Sequence, residues 1–328
     1  MNNSISSPLS PRLSSKLLPR LSPRLSLGPV TYYWDKDTLS RFYSRIADTP
    51  VDIVYLGETV CARRKLMRRD DWLNIAELLR SAGKEVVLSS MALIEARSEL
   101  AALKTLCSNN DFMIEANDMS AVQLLSGQSF ICGPAINIYN PRSLQVLSKL
   151  GLKRWVLPIE LSKQSLADMQ KEKPAHLQTE VLVYGRLPLA YSARCFTARA
   201  HNLPKDDCQY RCLDYPDGLM LSTREKEKFL VLNGIQTQSA KTSNLLNELD
   251  ELRRLNVDIL RISPPSEHCE KIIDLFYQCL HNNYPTGSAS TELESLMPVG
   301  GSCNGYWHGA SGMDLSMTGE KSCQPVQQ

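Results

Sequence analysis

The sequence predicts a TIM-like (β/α) barrel. From residue 28 onward, eight short apolar runs of strand character alternate with amphipathic stretches of helical periodicity, which is the rhythm of repeated β–α units. The rhythm breaks once, between about 186 and 241, where a long insertion follows the seventh run. A doubly wound open sheet has the same rhythm and is the alternative fold.

The predicted strands lie at 29–33, 51–56, 85–89, 112–115, 130–138, 154–157, 179–184 and 257–262, with a further strand-like run at 229–232 inside the insertion. Between them, apolar residues recur three and four positions apart and predict helices, most clearly at 72–79, 93–107 and 245–252. Gly83 is the predicted C-terminal stop of the first of these helices.

Both ends of the chain are predicted to be tails. Residues 1–27 repeat Pro-Arg-Leu-Ser three times, at 11–14, 19–22 and 23–26, and so much Ser, Pro and Arg predicts a disordered basic tail. A transit peptide has a similar composition, but an unstructured extension is the preferred interpretation. The barrel domain is then expected at 28–308, followed by a flexible tail at 309–328.

Composition excludes several classes of protein. No apolar run approaches the length of a membrane helix. The net charge is +2, and the first 26 residues carry four basic side chains and no acid, so the remainder carries 2 − 4 = −2, which gives no electrostatic reason to expect nucleic-acid binding. The chain has ten cysteines but no signal-peptide core at its N-terminus, so a reducing cytoplasm is expected.

Three of those cysteines, Cys195, Cys208 and Cys212, stand close together in the insertion. With a fourth thiolate they could hold zinc or an iron–sulfur cluster. Cys61 is the predicted fourth ligand, because it follows strand two and the trio follows strand seven, and loops after barrel strands open on one face. The spacing lacks paired Cys-x2-Cys motifs, which favours the cluster but leaves zinc open.

The other six cysteines have simpler interpretations. Cys107, Cys132 and Cys279 fall on apolar faces of predicted elements and are expected to be buried small hydrophobes. Cys269 opens a helix, and Cys303 is left without a prediction. Cys323 lies in the C-terminal tail.

Polar side chains also follow the strand ends. Glu58, Asn137 and Glu160 are the candidates for contact with a substrate, because barrel enzymes place such groups on these loops. Asp118 and Asn140 precede helices and are equally predicted as N-caps. The basic run at 63–65 could bind an anion or balance the charge of a cluster, but an exposed run is the more common outcome.

Several segments resemble the collagenase-like peptidase family of the U type. The segment EVLVYGRLPLAYSARC (180–195) looks like the signature of that family. A closer likeness, to one branch of the family, covers LGPV (27–30), DIVYLGETVC (52–61), IEAND (114–118), PIELS (158–162), LPLAYSARCFTAR (187–199), PKDDC (204–208), VLNGIQT (231–237) and CNGYW (303–307). Together these segments span essentially the whole predicted barrel. Most members of that family have a cysteine where this chain has Pro188, and a glycine where it has Ala193.

The detailed likeness is to a bacterial branch of the family that serves oxygen-independent ubiquinone biosynthesis. The resemblance implies that Cys61, Cys195, Cys208 and Cys212 bind one 4Fe–4S cluster. It further implies a heterodimer with UbiU, ring hydroxylation of a quinone precursor that the lipid-carrier protein UbiT delivers, and prephenate as the oxygen source. The peptidase label is not expected to describe the activity, because a thiolate held by iron is not free to act as a nucleophile.

Two further interpretations of the resemblance are kept open. The chain could be a non-catalytic partner that delivers electrons to UbiU or stabilises it. It could also act in the hydroxylation of RNA bases, as other members of the family do.

Overall fold

The structure is a computed structural model that describes residues 22–316. Eight parallel strands close into a barrel, because the first strand pairs with the second and the last, and the last also pairs with the seventh. This closure confirms the predicted barrel and excludes the open sheet. In chain order the barrel strands are β1 (Arg24–Leu27), β2 (Ile53–Leu56), β3 (Glu85–Ser89), β4 (Met113–Ala116), β5 (Phe130–Cys132), β6 (Leu152–Val156), β7 (Gln178–Tyr191) and β11 (Ile259–Ile262).

The predicted first strand was wrong. Residues 29–33 form no strand, and the barrel begins instead at β1, inside the segment expected to be a disordered tail. Leu25 and Leu27 point into the layer between barrel and helices and are fully buried, while Ser26 points into the barrel and donates to Glu180. The boundary between tail and barrel therefore lies before Arg24, and residues 1–21 lie outside the part of the chain that the structure describes.

The helices pack around the barrel. They are α1 (Lys36–Ala47), α2 (Arg69–Ser81), α3 (Arg97–Cys107), α4 (Met119–Leu124), α5 (Pro141–Leu150), α6 (Lys163–Glu172), α7 (Phe196–Ala200), α8 (Leu249–Arg254), α9 (Cys269–His281) and α10 (Thr286–Leu296). Asp118 and Asn140 cap α4 and α5 as predicted. Gly83 follows α2 with a φ of +83°, the left-handed conformation that favours glycine at a helix end.

The predicted strand five, 130–138, was too long. The strand ends at Cys132, and a short 3₁₀ helix occupies Pro134–Ile136. The C-terminal boundary also differs from the prediction, because the backbone of Asn304 pairs with Asp314 and its side chain pairs with Ser316. Residues 309–316 thus fold back onto the domain, and residues 317–328 lie outside the described range.

The insertion after strand seven is confirmed. Strand β7 continues beyond the barrel to Tyr191 and pairs antiparallel with β10 (Gln236–Asn244). Two more antiparallel strands follow outward, β9 (Lys228–Asn233) and β8 (Leu219–Ser222), and the short β12 (Ser302–Cys303) runs parallel to β10. The predicted run at 229–232 falls in β9. This sheet lies over the C-terminal mouth of the barrel, because Gln236 and Gln238 line a cavity together with residues that end the barrel strands.

The barrel interior is a mixture of apolar and ionic side chains. A small apolar layer contains Tyr55. The hydroxyl of Tyr55 donates to Glu180 at 2.5 Å, and Arg154 donates to the same hydroxyl at 2.9 Å. Arg261 donates to Glu180 at 2.7 Å. Burial of these charges carries a large desolvation penalty, and their pairing and hydrogen bonds offset that penalty.

Within residues 22–316, no helix is both long and apolar enough to cross a membrane.

Candidate functional site

The four cysteines of the predicted ligand set sit in loops at the C-terminal face of the barrel. Cys61 follows β2, and Cys195 caps the N-terminus of α7, where its Sγ accepts a hydrogen bond from the Ala198 backbone N–H at 3.4 Å. Cys208 ends the 3₁₀ turn at Lys205–Asp207, and Cys212 lies in the next one, Arg211–Asp214. All four are reduced and half-buried. The other five cysteines within the described range are buried, as predicted for Cys107, Cys132 and Cys279.

Three of these thiols, Cys61, Cys195 and Cys212, lie near enough to interact electrostatically. Burial raises the pKa of Cys61 and of Cys212, and Cys195 raises both further by its charge. Cys61 also contributes to the pKa of Cys212, so the three thiols lie within electrostatic range of one another. Across residues 22–316 no three His, Cys, Asp or Glu side chains form the compact arrangement that one metal ion requires.

The segment between Cys208 and Cys212 is strained. Gln209 and Tyr210 both adopt positive φ, at 50° and 51°. Two adjacent non-glycine residues in this region cost on the order of 1–3 kcal/mol each. The tertiary structure fixes them there in part through Tyr33, whose ring lies 6.0 Å from that of Tyr210.

Arg64 is the charged partner of the thiols. It is buried, with 6% of its surface exposed, so the expectation of an exposed basic run fails at this position and holds for Lys65. Its guanidinium donates to the Thr31 carbonyl and to Asn233 Oδ1, both at 2.7 Å. Arg64 also interacts with Cys212: its charge and its hydrogen bond oppose the rise that burial causes in the pKa of the Cys212 thiol. Positive charge beside the thiols favours their thiolate form.

Glu58 shapes the Cys61 loop. Its Oε1 accepts hydrogen bonds from the backbone N–H groups of Val60 and Cys61, at 2.8 and 3.0 Å. Burial raises the pKa of Glu58, and the nearby Arg64 only partly offsets that rise. This side chain therefore fixes the turn that presents Cys61.

A large groove opens beside the same loop, between α2 and α3. It measures about 730 Å³ and includes Glu58 and Arg64 in its lining. The wall is mostly apolar, and basic side chains stand at the rim next to Cys61. Its apolar side chains include Leu56, Trp72, Leu73, Leu88, Met91, Ile94, Ala102, Leu103 and Leu106.

Asn137 and Glu160 lie elsewhere. Both line a separate chamber of about 480 Å³ over the barrel mouth. Asn137 ends the 3₁₀ helix after β5 with a φ of 57°, and Glu160 accepts a hydrogen bond from the hydroxyl of Tyr139. That bond raises the pKa of Tyr139 to about 12. The three predicted substrate candidates thus divide between two sites, Glu58 at the groove and the other two at the mouth.

Beneath this chamber lies a smaller cavity of about 60 Å³, inside the mouth of the barrel. The two share Pro134, Ile159, Pro188 and Tyr191 in their walls, so they adjoin. Arg186 and Arg261 line the inner cavity, and neither was among the predicted site residues. Arg261 interrupts the apolar run ILRI of β11, and a charge inside such a run is the signal that could have identified it.

Several solved protein structures are similar to this chain. Among solved structures, the chain is similar to the U32 peptidase Mk0906, with 11% identity, a TM-score of 0.43 and coverage of 80% of this chain and 98% of that one. It is also similar to the tryptophan synthase complex from Pyrococcus furiosus (10%, 0.38, 83% and 96%) and to dihydrodipicolinate synthase from Aquifex aeolicus (7%, 0.37, 84% and 81%).

The sequence comparison is decisive for the family. The model of Peptidase family U32 matches residues 35–304, from the N-cap of α1 to the residue after β12. That range includes every cysteine of the candidate site and most of the barrel. This chain therefore belongs to Peptidase family U32.

Proposed function

We propose that this chain is a UbiV-type (YhbV-like) iron–sulfur subunit of oxygen-independent ubiquinone biosynthesis. In this proposal it acts in the bacterial cytoplasm with UbiU, in the ring hydroxylation of a quinone precursor. Prephenate is the proposed oxygen source, and UbiT the proposed carrier of the precursor. The observation that carries the proposal is the set of four reduced, half-buried cysteines in loops on one face of the barrel.

The donor set suits a 4Fe–4S cluster. Such a cluster takes four cysteine thiolates, and Cys61, Cys195, Cys208 and Cys212 are reduced and partly accessible, unlike the buried cysteines elsewhere. The spacing of these cysteines lacks the paired Cys-x2-Cys motifs common in zinc sites, which favours a cluster over zinc. When bound, the cluster would supply one-electron transfer. Arg64 would offset its negative charge.

The groove beside Cys61 supports an apolar substrate. Its volume of about 730 Å³ and mostly apolar wall suit a lipid-like precursor. Basic side chains at its rim, among them Arg63 and Lys65, would favour an acidic head group near the cysteines.

The first experiment is anaerobic purification, alone and with UbiU, followed by iron and sulfide analysis and absorption spectroscopy. The proposal expects iron and acid-labile sulfide in near-equal amounts. Alanine substitution of any of the four ligands should abolish the cluster, whereas Cys107→Ala and Cys279→Ala are matched controls that should keep it. Stoichiometric zinc without sulfide would refute the proposal, and a full cluster in Cys61→Ala would refute the fourth ligand.

The second experiment tests the pathway. Deletion of the gene should abolish ubiquinone formation under anoxia and leave aerobic synthesis intact, and under-hydroxylated precursors should accumulate. Normal anaerobic ubiquinone in the deletion strain would refute the assignment. If RNA-base hydroxylation were lost instead, the chain would belong to the other functional branch of the family.

A second candidate function, a non-catalytic partner of UbiU, is favoured by the position of Glu58. This carboxylate is engaged with the backbone of the Cys61 loop rather than free for a substrate. Substitution of Glu58, Asn137 and Glu160 in turn separates the two functions. If any of these variants keeps its cluster and its UbiU binding but loses hydroxylation, this chain contacts the substrate. If all three hydroxylate normally, it delivers electrons or stabilises its partner.

A further inference from the structure

The inner cavity at the barrel mouth carries buried hydrogen-bonding groups that nothing in the described chain satisfies. Arg261 Nη2, Arg186 Nε and Thr59 Oγ1 are each buried without a hydrogen-bond partner within residues 22–316. All three residues line this cavity and are at least nine-tenths buried. Glu115 Oε1, a buried acceptor in the same wall, also has no hydrogen bond but lies 2.8 Å from Arg261 Nη1. Buried donors are nearly always paired, so three on side chains that line one cavity point to a ligand.

One of the two guanidinium groups that line the cavity has no carboxylate partner among the described residues. Arg261 lies 2.8 Å from Glu115 and 2.7 Å from Glu180, so its charge is balanced. Arg186 has no carboxylate within ion-pair distance in the part of the chain described here; it donates to the backbone carbonyls of Ser239, Ala240 and Val299 and lies beside the Tyr32 hydroxyl. A buried, unpaired guanidinium favours an anionic ligand.

A chain of hydrogen bonds directs a further donor into the cavity. Arg64 can only donate, so the oxygen of Asn233 must face it. The Asn233 amide nitrogen then donates to Gln236 Oε1 at 3.0 Å, and Gln236 Nε2 donates to the Tyr191 hydroxyl at 2.7 Å. Since Tyr191 Oη accepts from Gln236, its own proton is free to be donated elsewhere.

Tyr191 stands where the two spaces meet, since it lines both the inner cavity and the outer chamber. Burial raises its pKa to about 12, so the hydroxyl keeps its proton at neutral pH. The available donors at the mouth are therefore one phenol, two guanidinium groups and the Thr59 hydroxyl, which also accepts.

We propose that the barrel mouth binds a carboxylate, held by Tyr191, Arg186 and Arg261 in the inner cavity, with the body of the ligand in the outer chamber. The inner volume of about 60 Å³ suits one carboxylate group, and the outer volume of about 480 Å³ suits a small ring or short chain. Planar carboxylates match guanidinium donors in geometry as well as in charge. The site shares no residue with the four cysteines and does not rest on the proposed cluster or pathway.

The test measures binding of benzoate by isothermal titration calorimetry to the purified full chain, with its iron content recorded. Benzamide is the matched neutral ligand of the same shape, and inorganic phosphate is the competing anion. Benzoate should bind, benzamide should bind at least about tenfold more weakly because it lacks the charge, and phosphate should not displace benzoate. Equal affinity for benzoate and benzamide, no heat with benzoate, or tighter binding of phosphate would each overturn the proposal.

Variants assign the residues. Tyr191→Phe removes only the hydroxyl and should weaken benzoate roughly tenfold to a hundredfold, the worth of one hydrogen bond to a charged group. Tyr184→Phe is the matched control: this tyrosine lies on the same strand, its buried hydroxyl has no partner within the described chain, and it does not line the cavity. Arg186→Gln should remove the preference for benzoate over benzamide. If Arg186→Gln fails to fold, the comparison of Tyr191→Phe with Tyr184→Phe still decides, and equal affinities in those two variants would exclude Tyr191 from the site.

Discussion

Removal of the first 27 residues should prevent the barrel from folding. A chain that starts at Ser22 keeps every contact described above, whereas a chain that starts at Gly28 lacks β1. Strand β1 joins β2 to β11, so its loss opens the barrel and leaves two unpaired strand edges.

The expected cost follows from what β1 buries. Leu25 and Leu27 are fully buried, and each contributes about 1.5–3 kcal/mol. The hydroxyl of Ser26 donates to the buried carboxylate of Glu180 at 2.6 Å, a bond to a charged group that is worth about 1.5–3 kcal/mol. The backbone pairs with both neighbouring strands add to this. The total reaches the 5–15 kcal/mol that stabilises a typical domain.

Urea unfolding followed by circular dichroism and tryptophan fluorescence gives the measurement. The chain from Ser22 should unfold cooperatively with the midpoint of the full chain, and the chain from Gly28 should show no cooperative transition. Leu25→Ala in the full chain is the intermediate case and should lose about 2–5 kcal/mol. A cooperative transition of unchanged midpoint in the chain from Gly28 would refute the reasoning, because β1 could then not be an integral part of the barrel.

Three other perturbations test the interior and the thiol loop. Burial acts to raise the pKa of Glu180, but two buried arginines outweigh it and hold that pKa below its usual range. The stabilisation that ionised Glu180 gives the fold is therefore complete above the unfolded pKa of about 4.3 and is lost as the pH falls through the lower folded value. Fluorescence should report unfolding only in acid, and a free energy of unfolding that is constant down to about pH 3 would contradict this. Gly133→Ala would place a Cβ 1.9 Å from a buried amide oxygen and should cost about 1–3 kcal/mol in urea titrations, whereas Gly287→Ala, with open space around it, should not destabilise. If the cluster forms, Arg64→Gln should lower the reduction potential of the cluster in a titration monitored by electron paramagnetic resonance, because a buried positive charge favours the reduced state. Lys65→Gln, at an exposed position, is the control, and equal potentials in the two variants would contradict the role of Arg64.

The barrel strands were predictable where burial on both faces leaves an uninterrupted apolar run. Strands β2 and β3 fall within two residues of their predicted ranges for this reason, and β11 does so although Arg261 interrupts its apolar run. Strand β1 was not predicted, because most of its sequence, RLSL, belongs to the third copy of a low-complexity repeat. Only its pairing with β2 and β11 distinguishes this copy; β11 lies more than 230 residues away, and local sequence carries no signal of such a partner.

The positions of the candidate ligands were predictable from topology, because loops that follow barrel strands meet at one face. The environment of those ligands was not. Arg64 stands between Arg63 and Lys65 and looks like part of an exposed run, yet it is buried by the loop after β1 and by Asn233 of the insertion. The burial of Arg186 could not be predicted for the same reason, since its carbonyl partners, on β10 and at Val299, come from distant parts of the chain.

One insertion builds both sites, and this couples their geometry. The segment that carries Cys195, Cys208 and Cys212 continues into β9 and β10, whose amides connect Arg64 to Tyr191. Arginine has no acceptor and a backbone carbonyl has no donor, so Arg64 and the Thr31 carbonyl, which accepts from Asn233 Nδ2 at 2.8 Å, together set the direction of the hydrogen bonds in that chain. If Arg64 left its place beside the thiols, Asn233 Oδ1 would lose its donor, and the Asn233 amide that supports Gln236 and Tyr191 would be held only through its nitrogen. The arrangement of the cysteine loop therefore bears directly on the donors that face the barrel mouth.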